Sequence, residues 1–262
     1  MSQGTPPIAA LGRSLAMLEA VLADREGRSV AAIGADIGFP RATAHRQVAT
    51  LVAERFLVRL PGGRLGPGPR LLALLPMADE KQVIVAAAAP MLHRLAAKVG
   101  CVVQLGTLEN DMVTYRLKTG QGAGDLFTKV GLQLEAYCTG IGKILLANLP
   151  EAEREAYLAT GPFPALTANT ITDPDQLREE LMRVRAQGFA RDDEEIAKGL
   201  ACIAVPIKGS DGRISAAISV SRGVPGWVGK GEARILVLLE EAARLIEAAI
   251  HGSDPGKLLL QA

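Results

Sequence analysis

Apolar residues recur at helical spacing near the start of the chain. Leu15, Leu18, Val21 and Leu22 within GRSLAMLEAVLAD predict an amphipathic helix running from just after Gly12 to a turn at 24–27. Ser29 stands where an N-cap belongs for a short second helix, VAAIGADIG, with Ala32, Ile33 and Ile37 inward, and Gly38, Phe39 and Pro40 end it. Pro40 suits the first turn of a third helix, RATAHRQVATLVAERF, which keeps Ala44, Val48, Leu51 and Val52 on one side and Arg46 nearly opposite. FLVRL then reads as a strand, Pro61, Gly62 and Gly63 as a turn, and RLGPG as the returning strand. Three helices closed by a hairpin predict a winged helix-turn-helix over residues 1–67.

Beyond it, LLALLPMADEKQVIVAAAAPMLHRLAAKVG is helical in pattern and interrupted at Pro76 and Pro90, which predicts a linker helix over 68–82, a break, and the first helix of a second domain spanning 83–253. CVVQLGTLEND, MVTYRLKTG and LQLEAY read as strands, GIGKILLANLP as the start of a helix, and PEAEREAYLATG with DPDQLREELMRVRAQG as polar helices. Two more strands follow, CIAVPIK and ISAAISVSR, and a final amphipathic helix from about Gly229 to His251, with 254–262 left as a tail. Strands mixed with helices in this order predict an α+β fold whose second domain is an antiparallel sheet flanked by helices.

The 262 residues carry 48% hydrophobic and 22% charged side chains, as expected of a folded two-domain protein. No stretch approaches the roughly 18 uncharged apolar residues that cross a bilayer, and MSQGTPPIAALGRSL has neither the basic flank nor the apolar core of a signal peptide, so a cytoplasmic protein without membrane contact is expected. Cys101, Cys138 and Cys202 are far apart and form no CxxC pair, which predicts reduced thiols rather than disulfides or zinc ligands. A net charge of +1 conceals an asymmetry: residues 1–66 hold eight arginines, no lysine and five acids. Between Arg41 and Arg64 five arginines face Glu54 alone, which is where phosphate contacts would be wanted.

A helix-turn-helix sets the N-terminal side of its second helix in the major groove while the wing meets phosphates. Arg41, Thr43, His45 and Arg46 occupy that side, and Arg46 is the best candidate to read a base, since arginine bonds both O6 and N7 of guanine. Arg59 and Arg64 on the hairpin would hold phosphates; the plainer alternative is that these arginines only solvate an amphipathic surface. In the second domain Gly140, Ile141 and Gly142 open a helix whose free N–H groups and dipole would attract a carboxylate. Ser219 and Ser221 are two apart and share a face of their strand, as two hydroxyls on one ligand require. The acids at 192–195 read first as a solvated loop, and Cys202 as a core thiol.

SLAMLEAV, FPRATAHRQVATLVAERF, TGIGKILLANLP and GFARDDEEIAKGLACIAVPI together resemble the IclR family of bacterial regulators, in order and spacing, over nearly the whole chain. The resemblance implies a GAF-like effector domain, double-stranded DNA with a palindromic operator as partner, and a homodimer through the N-terminal and linker region or a tetramer of two dimers. It carries an effector-pocket role over to the 140–142 segment, Asp192, Cys202, Ser219 and Ser221. Where many members have a Leu-His-Ala run this chain has LEAYCTG, which makes Tyr137 a candidate for the pocket mouth, against a plain core role. The expected function is a regulator, a repressor of a catabolic operon answering to a small organic acid, aromatic acids included, with an activator as the alternative. No cofactor or metal is implied. A cysteine-based reductase using Cys138 at the helix start is the competing enzyme reading, weakened because His45, His93 and His251 are the only histidines and none is placed to activate a thiol. A pure interaction adaptor built on a winged helix is the third.

Overall fold

The structure is a computed structural model that describes residues 8–77, 79–223 and 231–252. The chain divides into two compact units between Asp79 and Glu80.

In the first unit, α1 (Ala9–Ala23), α2 (Val30–Asp36) and α3 (Arg41–Ala53) precede an antiparallel hairpin of β1 (Leu57–Arg59) and β2 (Leu65–Pro67), turned by one 3-10 turn at Pro61–Gly63. The Ser29 hydroxyl accepts the Ala32 N–H at 3.2 Å and caps α2, as expected from its place in the sequence. Met17, Leu18 and Val21 of α1 meet Ile33, Ala44, Val48, Leu51 and Leu57 in one core. Two of the residues expected inside α1, Leu15 and Leu22, are exposed, as is Ala32 of α2. The buried stripe of α1 is centred on Met17 and Leu18, a fraction of a turn from the stripe the leucine spacing suggested, and the helix begins before Gly12.

A short α4 (Pro69–Leu74) and a 3-10 turn at Leu75–Met77 follow. Residues 80–82, read from sequence as linker, form the first turn of α5 (Glu80–Val99) in the second unit. Pro90 does not interrupt α5 as its position suggested. A proline inside a helix costs about 3 kcal/mol. Ile84 and Ala88 before it and Met91, Leu92, Leu95 and Ala96 after it are all buried, and burying one large apolar side chain stabilises by about 1.5–3 kcal/mol. Packing on both sides therefore outweighs the lost hydrogen bond.

The second unit is built on a six-stranded sheet in the order β5-β4-β3-β8-β7-β6, every neighbouring pair antiparallel. Its strands are β3 (Val102–Glu109), β4 (Met112–Thr119), β5 (Gln133–Glu135), β6 (Ala190–Asp193), β7 (Leu200–Lys208) and β8 (Ile214–Gly223). α5 and α9 (Gly231–Ile250) pack on one face over Val103, Leu105, Ile203, Val205, Ile218 and Val220. α6 (Gly140–Ala147), α7 (Glu151–Leu158) and α8 (Pro174–Gln187) cover the other. Capping by Asp173, Pro174 in the first turn and Gly188 in left-handed backbone bound α8. β6 corrects the reading of 192–195 as a solvated loop: Ala190 and Asp192 point inward, Arg191 and Asp193 outward. The first residues expected in the last helix, 229 and 230, and the tail at 254–262 lie outside the described residues. Among the described residues no helix is long and apolar enough to cross a membrane.

Candidate functional site

α3 buries Ala44, Val48 and Leu51 and turns Arg41, His45 and Arg46 to solvent, with Thr43 half-buried. Arg59 and Arg64 are exposed on either side of the hairpin turn, and the Arg64 stem passes within about 3.6 Å of where a side chain on Gly27 would begin. Two other arginines of this unit are engaged: Arg28 with Asp24 and Asp36, each at 2.7 Å, and Arg70 with Glu54 at 2.7 Å. Among the described residues no carboxylate pairs with Arg41, Arg46, Arg59 or Arg64. Of the residues expected to meet DNA, these four are cations left available to a polyanion.

In the second unit a small cavity of about 10 Å³, room for about one water, lies between the sheet and the start of α6. Gly140, Ile141, Asp192, Cys202, Ser219 and Ser221 all line it. Strand register explains the meeting: Asp192 stands opposite Cys202, Cys202 opposite Ser221, and Ser219 opposite Gln104, all on the face toward α6. Tyr137 and Gly142 are not in its walls. Tyr137 is core: its ring stacks on Phe163 at 4.8 Å, its hydroxyl donates to the Pro164 carbonyl at 2.8 Å, and its N–H donates to the Tyr157 hydroxyl. Gly142 donates its N–H to the Thr139 hydroxyl at 3.1 Å, and a Cβ on it would lie 2.1 Å from the Ala136 carbonyl oxygen. Its smallness serves the seating of α6.

Further wall residues were not singled out from sequence, among them Gln104, Tyr115, Phe127 and Thr128. Gln104 had a signal: a lone amide in the apolar run CVVQLG. It is buried and engaged at both ends, donating to the Thr128 hydroxyl at 2.7 Å and accepting from the Ser221 hydroxyl at 3.1 Å, while the Cys202 thiol donates to Ser221 at 3.1 Å. Burial, and next to it the Asp192 carboxylate, hold the Cys202 thiol well above its usual pKa.

Asp192 is 1% exposed. Its Oδ1 accepts the N–H groups of Glu195 at 2.8 Å and Ile196 at 3.4 Å, but Oδ2 has no partner. Burial lifts its pKa to about 7 against the pull of those amides. Of the wall residues none is Lys, Arg or His, so the donors a ligand would meet are the protonated Asp192, hydroxyls such as Ser219 and Tyr115, and the unbonded N–H groups of Gly140 and Ile141 at the head of α6.

Behind the acidic turn lies an ion cluster the sequence did not announce. Lys143 of α6, 1% exposed, reaches Glu195 at 2.6 Å and Glu180 of α8 at 3.1 Å. Burial opposes its charge, and the two carboxylates more than reverse that, so its pKa stands above the usual range. Glu195 is raised by burial despite Lys143, and its Oε2 is unpartnered. Thr170 and Thr167 hydroxyls and the Asn169 amide bond the carbonyls of Glu195, Glu194 and Asp193, fixing the turn from outside.

Cys138 is wholly buried and its pKa is pushed up to about 12, first by burial and then by Asp192 and Glu195. It is not the activated thiolate a cysteine-based enzyme needs. Among the described residues no three His, Cys, Asp or Glu side chains gather as a metal site.

A winged helix with unpaired arginines beside a separate α+β domain defines a class, that of DNA-binding transcriptional regulators. Comparison with known proteins gives the family: residues 10–61 match the IclR helix-turn-helix domain and residues 78–248 the bacterial transcriptional regulator IclR C-terminal domain. The chain belongs to the IclR family, whose members are DNA-binding regulators and not enzymes. It is 32% identical over 238 residues to the Pca regulon regulatory protein of Pseudomonas putida, covering 89% of this chain and 81% of that one. With the DNA-binding transcriptional repressor YiaJ of Escherichia coli it shares 28% over 241 residues, 90% of this chain and 86% of that one. Among solved structures it is similar to an IclR homologue from Microbacterium hydrocarbonoxydans complexed with 4-hydroxybenzoate, at 29% identity and a TM-score of 0.61, with 94% of this chain and all (100%) of that chain covered.

Proposed function

We propose that this protein is a ligand-responsive repressor of a catabolic operon, released from a palindromic operator by a small organic acid. The observation that carries the effector half is the closed cavity in which an unpartnered Asp192 oxygen and two unbonded helix-start amides face a row of hydroxyls and a thiol. An anion entering it meets Asp192 as a donor rather than as a second negative charge only if that carboxyl holds a proton, and a pKa near 7 makes that proton available at neutral pH. The similar Microbacterium protein, described with a hydroxybenzoate, supports an aromatic acid as the class to try first. For the DNA half, Arg46 reads a base from α3, Arg41, Thr43 and His45 stand beside it, and Arg59 and Arg64 grip phosphates. Two-fold pairing of the chain accounts for the palindrome.

A gel shift with the DNA upstream of its own gene tests the first half. Retardation that disappears in Arg46→Ala is expected, and no retardation of any such fragment at low salt would remove the reading. A thermal-shift screen of carboxylic acids tests the second, because a ligand that prefers the folded state raises the melting temperature by mass action. Equal shifts in the wild type and in Ser219→Ala/Ser221→Ala would place the ligand elsewhere. Transcription from the same promoter, lower with the protein and restored by the acid, is the outcome that makes it a repressor.

A further inference from the structure

The wall residues Gln104, Asp192, Ser219 and Ser221 are all but removed from solvent, so a solute reaches them only if some wall moves. Most of the wall is strand or helix. Two pieces are not: the acidic turn before β7, and residues 126–128 in the loop from β4 to β5. The acidic turn is pinned by Lys143, Thr167, Asn169 and Thr170. The loop is held differently. Across 121–130 its ties to the sheet are side-chain bonds from one cross-strand pair, Gln104 and Lys118. Gln104 donates to the Thr128 hydroxyl, and the Lys118 ammonium donates to the carbonyls of Leu126, at 2.7 Å, and Thr128. Gly120 and Gly131, both in left-handed backbone, mark its ends, and Gly122 and Gly124 lie between. Phe127, a wall residue, is 45% exposed, and Val130 is exposed too, so much of the segment's own apolar surface is already in water.

We infer that residues 120–131 are the lid of the cavity, and that Gln104 is both its latch and a ligand-reading residue: the amide that holds Thr128 in the closed state is released to the ligand when the lid lifts. The Cys202 thiol, the Ser221 hydroxyl, the Gln104 amide and the Thr128 hydroxyl form one unbroken hydrogen-bonded chain from the cavity floor to the lid. A ligand group that takes a bond from Ser221 or Gln104 therefore competes directly with the latch, and a buried amide left without a partner is costly enough to favour ligands that supply one. Lys118 bonds only main-chain carbonyls and serves as the hinge-side tether. The reading role rests on the effector assignment above; the lid does not.

Hydrogen-exchange mass spectrometry on the full chain, with no acid present, separates the two. Thr128→Val keeps shape and removes the latch, so exchange across 120–131 should rise up to about tenfold, the factor a single buried neutral hydrogen bond supplies, with the rest of the chain unchanged. Gln104→Met should loosen the same segment. Unaltered exchange there in both variants, or a rise spread over the whole second unit, would overturn the lid. With 4-hydroxybenzoate as probe, Thr128→Val should bind faster than wild type, and Gln104→Met should lose roughly tenfold or more in affinity. Equal affinity in the two variants would overturn the reading role of Gln104. If the loop loosens as expected yet neither this acid nor others bind the wild type, the lid stands and the effector assignment fails.

Discussion

Asp192 is where a single side chain sets the behaviour of the second domain. Its folded pKa of about 7 lies above the unfolded value of 3.8, so the folded state holds the proton more tightly. Below pH 3.8 both states are protonated and the group costs nothing; as pH rises through the window from 3.8 to 7 the folded state loses stability, and above 7 the whole cost is present. Asp192→Asn keeps the Glu195 N–H bond and abolishes the charge, so at pH 8 it should be more stable than wild type, by on the order of 3 kcal/mol in urea denaturation, and equal to it near pH 4. In the proposed effector role, the same proton keeps Asp192 from repelling an acid ligand. Affinity for a carboxylate should therefore fall about tenfold for each pH unit above 7 in the wild type and stay flat in Asp192→Asn; a flat wild-type profile by calorimetry would show that the carboxylate does not meet this residue. Lys143 makes the opposite kind of statement. Lys143→Met strands Glu195 in a buried site while Glu180 keeps Arg183, at a cost of about 3–5 kcal/mol, and adding Glu195→Gln should recover part of it.

At the scale of elements, α6 is the part whose seat is least tolerant. Gly142→Ala drives a methyl into the Ala136 carbonyl, and a melting-temperature drop equivalent to roughly 1–3 kcal/mol is expected, while the first unit keeps its DNA affinity. The hairpin is separable in another way: Arg59→Ala should leave base preference intact and lower the slope of log affinity against log salt by about 1. Local signals made some of these elements readable in the sequence. Ser29 and Pro40 punctuate the helix-turn-helix, and Ser219 and Ser221 share a face because a strand alternates. What escaped did so because tertiary packing overrode a local rule. Pro90 stays inside α5 since both flanks are buried, and the run ARDD is a strand because neighbouring amides and the burial of one member hide an acid that composition assigns to solvent. Lys143 carries no local signal of its burial. Its partners are 37 and 52 residues away, a separation that only the folded sheet closes.

For the whole molecule, the exposed face of α1 bears on assembly. Ile8, Leu11, Leu15 and Leu22 follow a three-four-seven spacing and lie open, Leu11 at 57%, a stripe that the proposed two-fold pairing of the chain would use. Leu11→Glu/Leu15→Glu should yield monomers by analytical ultracentrifugation and lose operator affinity while still unfolding cooperatively; a variant that remains dimeric would move the two-fold contact elsewhere. The junction between the units has its own logic. Glu80 accepts the N–H and hydroxyl of Ser210, both at 2.9 Å, and the Ser215 hydroxyl at 3.4 Å, while Lys81 pairs with Glu109. The first turn of α5 is thereby riveted to the β7–β8 turn and to the end of β3, and α5 from Glu80 onward belongs mechanically to the second unit. Anyone grafting this domain beneath a foreign DNA-binding head has a seam to respect: a splice ahead of Glu80 would carry an intact sensor to a new promoter, and one a few residues later would cut the rivets and deliver a sensor with a loose first helix.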